Sequence, residues 1–292
     1  MTAVFTRGTL DSSEEATTGE PQPIAPRADC IADSAGGLTF DVTDPGEAGA
    51  AHLLLRLRES DPPVEVRLPL APAADGSLRA ALPSSVELAE GRWNAYAQVE
   101  GGEPRRLVPG VNDLRSLVDR APSGSRGHVA VRIPYATKQG NLSVRAWLRA
   151  PHTEVGELRI DGTGLTGHGR VYGTALTGAA RIEAVLRGDV SRVLRAEVTP
   201  AGTADFGFAL PYAELADAEG VWDLWLHPAG DEGPRIRLAR LLDDVADKKP
   251  IFTYPATRVD CVGGQVEVGP YYTNDNDLAV RVSATAVGTS GA

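Results

Sequence analysis

The sequence is poor in the residues that build covalent or metal-bound frameworks. It contains 2 cysteines, Cys30 and Cys261, and 5 histidines that stand singly along the chain. A disulfide framework is excluded, and we expect two buried free thiols rather than one bridge. No histidine lies near another histidine or a cysteine at zinc-ligand spacing, so we expect no metal. No phosphate-binding glycine loop occurs, so we also expect no cofactor. The absence of a Gly-x-Ser-x-Gly elbow counts against a serine hydrolase.

The sequence has no excess of basic residues and no long apolar run. The chain has 29 Lys and Arg against 39 Asp and Glu, a net charge of −10, whereas proteins that bind nucleic acids or anionic membranes are generally basic. No apolar run approaches the roughly 18 residues of a membrane span, and the first residues carry no apolar signal-peptide stretch. We therefore expect no nucleic-acid partner, no membrane span and a cytoplasmic location.

Chain reversals are abundant, with 32 Gly and 21 Pro among 292 residues. The segments between them alternate apolar and polar residues, as in "PVEVRLPLA" (Pro63–Ala71) and "HVAVRIPYA" (His128–Ala136). Short alternating segments at about 8–12-residue spacing predict an all-β fold of immunoglobulin-like β-sandwiches. We expect short helical turns only at 112–119 and 238–247.

The chain also repeats itself. "IPYATKQGNLSVRAW" (Ile133–Trp147) is answered by "GPYYTNDNDLAVRVS" (Gly269–Ser283) at an offset of 136 residues. Trp93 and Trp222, 129 residues apart, occupy the same position in a repeated Gly-x-Trp-x-x-aromatic element. Self-similarity over roughly 125 residues predicts two tandem units that arose by internal duplication.

The repeat suggests the domain boundaries. We expect residues 28–153 to form the first unit and 154–287 the second. The flanking segments 1–27 and 288–292 are predicted to be disordered, because they contain few core-forming residues. In each unit the tryptophan of the Gly-x-Trp element should fill a core, and the aromatic residue three positions later should face the other side of the strand.

Aromatic residues are the candidates for ligand binding, because exposed rings stack on the apolar faces of sugars. The candidates lie beside the repeated loop or end the two tryptophan elements, and they are Tyr135, Tyr271, Tyr272, Tyr96 and Trp225. Cross-strand packing is the alternative. Arginines, whose forks suit phosphate and carboxylate groups, cluster nearby: Arg105, Arg106, Arg115, Arg120, Arg126 and Arg132. The alternative for them is a solvated basic face.

The acidic and glycine-rich motifs favour structural roles. The Asp-x-Asp of Asn274–Asp277 could hold a divalent metal, but "KQGN" fills the same slot in the first unit, which favours a hairpin turn. A solvated helix end is favoured for Asp243, Asp244 and Asp247, since acid–base work needs carboxylates held about 5–9 Å apart across a cleft. The stretch Gly164–Gly173 is predicted to be a turn. We assign no catalytic residue.

The stretch Arg132–Gly173 is similar to a known family through Pro-Tyr-x-Thr, Asn-Leu-Ser-Val and Gly-Arg-x-Tyr-Gly. It resembles the accessory β-sandwich modules that follow the catalytic domain in bacterial teichoic-acid-type glycosyltransferases and polyol-phosphate polymerases. The resemblance extends over most of residues 28–287 and implies a non-catalytic module for oligomerisation, positioning or polymer binding. It brings no nucleotide-sugar domain, so no catalytic residue is carried over. The Ala-, Gly- and Arg-rich composition suggests an actinobacterial source.

The leading hypothesis is a non-catalytic accessory or binding module in the glycosylation of cell-envelope polysaccharide or teichoic acid. Its partner would be a glycosyltransferase, an envelope glycan or both. Two alternatives stay open: a glycosyl or polyol-phosphate transferase that uses acids such as Asp243 or Asp275, and a structural protein that forms homo-oligomers through strand edges. The acidic net charge counts against tight binding of a polyanionic teichoic acid. A neutral glycan or a protein partner is therefore an equal alternative.

Overall fold

The structure is a computed structural model. The residues that it describes are 25–43, 46, 49–118, 120–122 and 127–285. The disorder expected at 1–27 and 288–292 falls outside these residues except at 25–27, and Arg27 already belongs to the first strand.

Twenty strands account for the regular structure of the described residues. The first ten are β1 (Arg27–Ala32), β2 (Leu38–Val42), β3 (Ala51–Leu57), β4 (Glu65–Pro72), β5 (Leu78–Leu82), β6 (Gly91–Val99), β7 (Arg105–Arg106), β8 (Val108–Asp113), β9 (Val129–Ala136) and β10 (Leu142–Arg149). The second ten are β11 (His152–Ile160), β12 (Gly164–Tyr172), β13 (Arg181–Leu186), β14 (Val193–Ala201), β15 (Asp205–Pro211), β16 (Gly220–His227), β17 (Ile236–Ala239), β18 (Thr257–Cys261), β19 (Gly264–Tyr272) and β20 (Leu278–Ala284). Two 3-10 turns lie at Arg115–Leu117 and Gly230–Glu232.

The fold is all-β, as the alternating segments predict, and it has two ten-stranded sheets. The first unit is β1–β10, paired in the order β8-β1-β2-β5-β4-β3-β6-β10-β9 with β7 on β6, and the second unit is β11–β20. In the second unit β13 pairs with both β14 and β16, so part of the sheet closes on itself like a barrel. The sheets divide between Arg149 and His152, and the boundary expected after residue 153 lies inside β11. No helical segment in the described part of the chain is long and apolar enough to cross a membrane.

The two units pair their strands in the same way. In the first unit β1 lies antiparallel to β2 and parallel to β8, β3 pairs with β6, and β6 with β10. In the second unit β11 lies antiparallel to β12 and parallel to β17, β13 pairs with β16, and β16 with β20. The terminal hairpins β9–β10 and β19–β20 correspond as well, and β18 adds a strand outside β19.

The tryptophans of the repeated element fill the cores, as expected. Trp93 is 1% exposed and Trp222 is 3% exposed. Each donates its indole Nε1–H to the carbonyl four residues earlier, at 3.0 Å to Ala89 and 3.2 Å to Ala218. The buried indoles therefore have satisfied donors, and alternate residues of β6 and β16 face the core.

The helical turn expected at 238–247 is wrong, whereas the one at 112–119 contains the 3-10 turn Arg115–Leu117. After β17 the chain runs without regular structure and packs Leu241 into the first unit's core. The backbone N–H groups of Leu241 and Leu242 donate to the Glu154 carboxylate at 2.9 and 3.0 Å. A side chain from β11 thus takes the donors that a helix would use.

The stretch Gly164–Gly173 is mainly strand β12 and not the expected turn. A Cβ on Gly167 would lie 2.8 Å from the Phe208 ring, and one on Gly169 would lie 2.5 Å from the Phe206 ring. The glycines therefore leave room for two aromatic rings of the neighbouring strand β15.

The two cysteines differ in burial. Both are free; Cys30 is buried and Cys261 is half-buried. Burial, with the nearby charges of Asp29 and Asp41, raises the pKa of the Cys30 thiol to about 12. The expectation of two buried thiols thus holds only for Cys30.

Replacement of Gly164 by alanine should weaken the contact between β12 and β15. Its Cβ would lie 2.6 Å from the backbone oxygen of Leu210, which cannot move away as a side-chain tip could. We expect G164A to lower the free energy of unfolding by about 1–3 kcal/mol. Gly162 has no atom within 4 Å of the corresponding position, so G162A is the control. Equal urea midpoints for the two variants would contradict the close approach.

Candidate functional site

The segment Asn274–Asp277 is a hairpin turn, as expected, and it also joins the two units. Arg145 of β10 donates through Nη2 to Oδ1 of Asp275 at 2.7 Å, and Arg149 donates through Nη1 to Oδ1 of Asp277 at 2.9 Å. The indole of Trp147 donates to the carbonyl oxygen of Asp275 at 3.2 Å. The Asp-x-Asp acids therefore bind arginines of the first unit, and no group of potential metal-ligating side chains occurs in the described ranges.

A buried asparagine holds this turn. Asn276 is 0% exposed and adopts a left-handed backbone with φ of 59°, a conformation that asparagine tolerates better than most residues. Its side-chain oxygen accepts the backbone N–H of Lys248 at 3.1 Å, and its backbone oxygen accepts the N–H of Arg240 at 3.1 Å. The turn is thus fixed against the segment that follows β17.

The acids considered for catalysis are tied to cations. Asp243 accepts hydrogen bonds from the fully buried Lys248 at 2.6 Å and from Arg240 at 3.1 Å. Asp275 binds Arg145, as described above. Burial raises the pKa of Asp277 even though Arg149 and Arg237 act to lower it. These carboxylates therefore stabilise the junction.

A cavity of about 430 Å³ lies beside the turn, between the two units. We call it the junction cleft. Its walls come from β6, β9, β10, the β9–β10 turn and the residue after β3 in the first unit, and from two loops of the second. Its lining residues are Arg58, Arg92, Tyr135, Ala136, Thr137, Lys138, Gln139, Arg145, Ala246, Asp247 and Asn274. Four of these side chains are cationic and one is anionic. The junction cleft is therefore basic in an acidic protein.

Several cations at the junction cleft have no carboxylate partner. Within the described ranges, the side chains of Arg92 and Lys138 make no ion pair or hydrogen bond. Arg58 donates to neutral groups, namely Oδ1 of Asn94 at 2.7 Å and Oγ of Ser143 at 3.0 Å. The Nε–H of the lining residue Arg145 is buried and has no acceptor among the residues described. The site is short of negative charge.

Arg106 and Arg58 donate hydrogen bonds to the same asparagine, Asn94. The Nη2 of Arg106 donates to Oδ1 of Asn94 at 2.9 Å, and its Nη1 donates to the carbonyl oxygens of Ala95 and Leu142, both at 2.7 Å. Burial lowers the pKa of the Arg106 guanidinium, and the positive charge of Arg58 lowers it further. The Arg58 and Arg106 guanidinium groups therefore share two neutral acceptors, Oδ1 of Asn94 and Oγ of Ser143.

The second unit has a carboxylate at the equivalent place. Asp223 follows Trp222 as Asn94 follows Trp93, and it binds Arg187 at 2.7 Å and Arg237 at 2.9 Å. Burial opposes ionisation of Asp223, but the hydrogen bonds and charges of both arginines outweigh it and lower its pKa. The hydrogen bond to Asp223 raises the pKa of Arg187. Arg187 and Arg237 of the second unit thus have a carboxylate between them. Arg58 and Arg106 of the first unit have a neutral amide at the same place.

The aromatic candidates of the first unit lie near this charge. Tyr135 is half-buried and lines the junction cleft. Tyr96 is half-buried on the same unit, with the guanidinium carbons of Arg56 and Arg106 at 5.1 and 4.9 Å from its ring centre. Tyr135 is thus placed to touch a ligand, whereas Tyr96 positions arginines.

The aromatic candidates of the second unit divide in the same way. Trp225 lies under Arg235 and Arg237, at 4.1 and 4.9 Å. Tyr271 is half-buried beside Arg281 at 4.5 Å. Tyr272 is 0% exposed and packs against Phe252 and Tyr254, so its ring has no face for a ligand and belongs to the core.

The predicted arginine cluster does not form one site. Arg115 pairs with Asp113 at 2.6 Å, whereas Arg120 and Arg132 donate to backbone carbonyls. Arg126 lies outside the described residues. The residues that sequence reasoning missed are Arg58, Arg92 and Arg145, and the available signal was the exchange of Asn for Asp after the repeated tryptophan.

No protein-family model matches the chain, and no curated protein matches it. Its structural neighbours include two structures of Staphylococcus aureus TarS, a teichoic acid glycosyltransferase. One is 11% identical with a TM-score of 0.38 and covers 55% of this chain and 28% of that one. The other, of TarS residues 217–571, is 14% identical with a TM-score of 0.31 and covers 64% of this chain and 55% of that one.

A pullulanase from Anoxybacillus sp. LM18-11, solved with maltotriose, is a third neighbour. It is 10% identical with a TM-score of 0.24, and the match covers 68% of this chain and 24% of that one. This chain spans less than two thirds of each of the three neighbours. At such TM-scores the likeness carries no argument about function.

Removal of the Asp223 carboxylate should destabilise the second unit in a pH-dependent way. D223N leaves Arg187 without an ion-pair partner and leaves Arg237 with only the more distant Asp277, at 3.6 Å, and we expect a loss of about 1–3 kcal/mol in the free energy of unfolding at pH 7. The folded-state pKa of Asp223 is below the ordinary 3.8, so its stabilisation is present above that pH and is lost as the pH falls through the folded pKa. Urea titrations at pH 7 and pH 3 should show the difference shrinking at pH 3.

The opposite change in the first unit should stabilise the protein. N94D places a carboxylate between Arg58 and Arg106, and we expect a gain of about 1 kcal/mol at pH 7 from charge-assisted hydrogen bonds. The same urea titrations measure it. A loss of stability at pH 7 would mean that these arginines are not short of negative charge.

Proposed function

We propose that the protein is a non-catalytic binding module that takes an anionic, phosphate-bearing glycan or polyol chain of the cell envelope in the junction cleft. One observation carries the proposal: Arg58, Arg92 and Lys138 line a cavity of 430 Å³ and have no carboxylate partner among the described residues. Guanidinium forks match phosphate oxygens, and Lys138 adds a point charge. The ring of Tyr135 offers an apolar face to the carbon chain between phosphates.

The net charge of −10 does not govern binding at this cleft. Screening limits the reach of exposed charges to about 8–10 Å at physiological salt. A ligand in the junction cleft therefore responds mainly to the four cations and one acid that line it and to Asp275, which pairs with the lining residue Arg145. The size of the cavity suits one or a few residues of a polymer, and the cleft is open to solvent where Lys138 and Asp247 are exposed.

The family resemblance of Arg132–Gly173 supports a polymer-binding role beside a glycosyltransferase, which we propose as the protein partner. The shared strand pairing and the paired Trp93 and Trp222 support a tandem duplication of an immunoglobulin-like unit. In this arrangement the second unit supplies walls and the turn that positions Arg145, and the first unit supplies the charges that bind.

The transferase alternative gains no support from its candidate acids. Asp243 is engaged by Lys248 and Asp275 by Arg145, and an acid–base or metal-binding role would require breaking these pairs. Binding needs no such rearrangement, since Arg92 and Lys138 are already without partners in the described structure. We therefore place the binding function first.

The binding function depends on the cations of the junction cleft. We expect R92S/K138S to weaken binding of poly(glycerol phosphate) at least about tenfold, because each lost charge-assisted hydrogen bond is worth about 1.5–3 kcal/mol. Isothermal titration calorimetry at two salt concentrations measures the affinity, and the wild-type affinity should fall with salt. Neutral dextran of similar length should bind weakly and show no salt dependence.

The control variant is R159S/R192S, which removes the same charge from two arginines with side chains 77% and 52% exposed. Its affinity should stay close to that of the wild type. N94D should weaken binding while it stabilises the fold, because it supplies Arg58 with an internal anion. Equal affinity of R92S/K138S and the wild type, or a preference for dextran, would disprove the proposal.

A further inference from the structure

A second cavity, of about 220 Å³, lies on the second unit next to the junction cleft. Phe252, Tyr254 and Tyr271 contribute aromatic rings to its lining, and Lys249 and Arg281 contribute exposed cations. The guanidinium carbon of Arg281 lies 4.5 Å from the centre of the Tyr271 ring. We call this cavity the tyrosine pocket. Apolar ring faces beside cations suit a ligand in which carbon segments alternate with anionic groups.

The tyrosine pocket and the junction cleft are built on corresponding parts of the repeated frame. Tyr271 near the end of β19 faces Ala279 across the hairpin, as Tyr135 near the end of β9 faces Ser143. Each cavity thus has a half-buried tyrosine in its lining at the same register of a terminal hairpin. Neither Lys249 nor Arg281 has a carboxylate partner among the described residues. The one acid of the pocket, Glu267, lies 3.7 Å from Arg258.

A hydrogen bond between two side chains links the linings of the two cavities. Lys249 lines the tyrosine pocket, Asn274 lines the junction cleft, and Nζ of Lys249 donates to Oδ1 of Asn274 at 3.3 Å. Both side chains are exposed, so a flexible chain on the surface can pass over this contact, which we call the ridge. Tyr271 and Asn274 are three residues apart, which limits the distance between their Cα atoms to about 11 Å.

We infer that the junction cleft and the tyrosine pocket are consecutive subsites for one anionic polymer chain. The inference rests on the proposed function and adds to it that the ligand is bound as an extended chain of several repeating units. One segment lies on Tyr135 among Arg58, Arg92 and Lys138, and the chain crosses the ridge at Asn274. The following segment lies on Tyr271 with its anionic groups facing Lys249 and Arg281.

Two adjoining subsites make affinity depend on chain length. A monomer or a short oligomer occupies only the junction cleft. A longer chain also reaches the tyrosine pocket, and this second contact is intramolecular, so the translational and rotational entropy of association is not lost a second time. Affinity should therefore rise steeply at the length that spans the ridge and change little beyond it. A single isolated site would give no such step.

The experiment titrates the full chain with glycerol phosphate and with poly(glycerol phosphate) oligomers of increasing, defined length. For the wild type we expect a step on the order of tenfold to a hundredfold in affinity once both subsites are filled. K249S/R281S should bind the shortest oligomers as the wild type does and should lose the step. Both substituted residues are exposed, and R159S/R192S, which removes the same charge elsewhere, should keep the step.

A second variant tests the aromatic part of the subsite. Y271S should also lose the step and leave affinity for the shortest oligomers unchanged, with thermal unfolding as the check that it folds. Length-independent affinity of the wild type, or a step that survives in K249S/R281S and Y271S, would overturn the inference and leave the proposed function standing. Failure of every oligomer to bind the wild type would overturn both.

Discussion

The burial of Asn276 is the constraint on which the junction cleft depends. Its amide oxygen and backbone oxygen tie the turn 273–277 to the segment after β17, through the N–H groups of Lys248 and Arg240. The turn then presents Asp275 and Asp277 to arginines of the first unit. A buried polar group that is fully bonded fixes one arrangement, because any shift would leave it unsatisfied. The walls that the second unit gives to the cleft are therefore held rigidly.

The two corresponding turns have the same backbone but different side chains, so one can hold the two units together while the other lines the proposed binding site. Lys138 and Gln139 of the first turn occupy the slots of Asn274 and Asp275 in the second. Gly140, with φ of 76°, occupies the slot of Asn276, with φ of 59°, so the two turns share a left-handed position. The backbone demands only that conformation, and the remaining side chains are free to differ. In one unit they supply a cation to the cleft, and in the other they supply the acid that holds Arg145.

Local patterns in the sequence predict the strands and the buried tryptophans, because alternation and turn residues act over a few positions. They fail at Gly164–Gly173, where glycines make room for Phe206 and Phe208, and at 238–247, where Glu154 takes the backbone donors. Both causes lie far away in the chain. The junction cleft is even harder to predict from local sequence patterns, because the pair Arg145–Asp275 joins residues 130 positions apart. Only Tyr135 among the predicted ligand-binding residues lines it.

Net charge does not describe the charge of the junction cleft, because it counts paired and unpaired groups alike. In the second unit Arg187 and Arg237 share Asp223, and an arriving anion would have to displace that carboxylate. In the first unit Arg58 and Arg106 share the neutral Asn94, and in the described part of the chain neither has a carboxylate partner that the proposed ligand would have to displace. The two units differ at this position because the first has the amide of Asn94 where the second has the carboxylate of Asp223. The proposed binding of an anionic chain is thus compatible with a protein rich in acids, because it depends on arginines that lack those acids as partners.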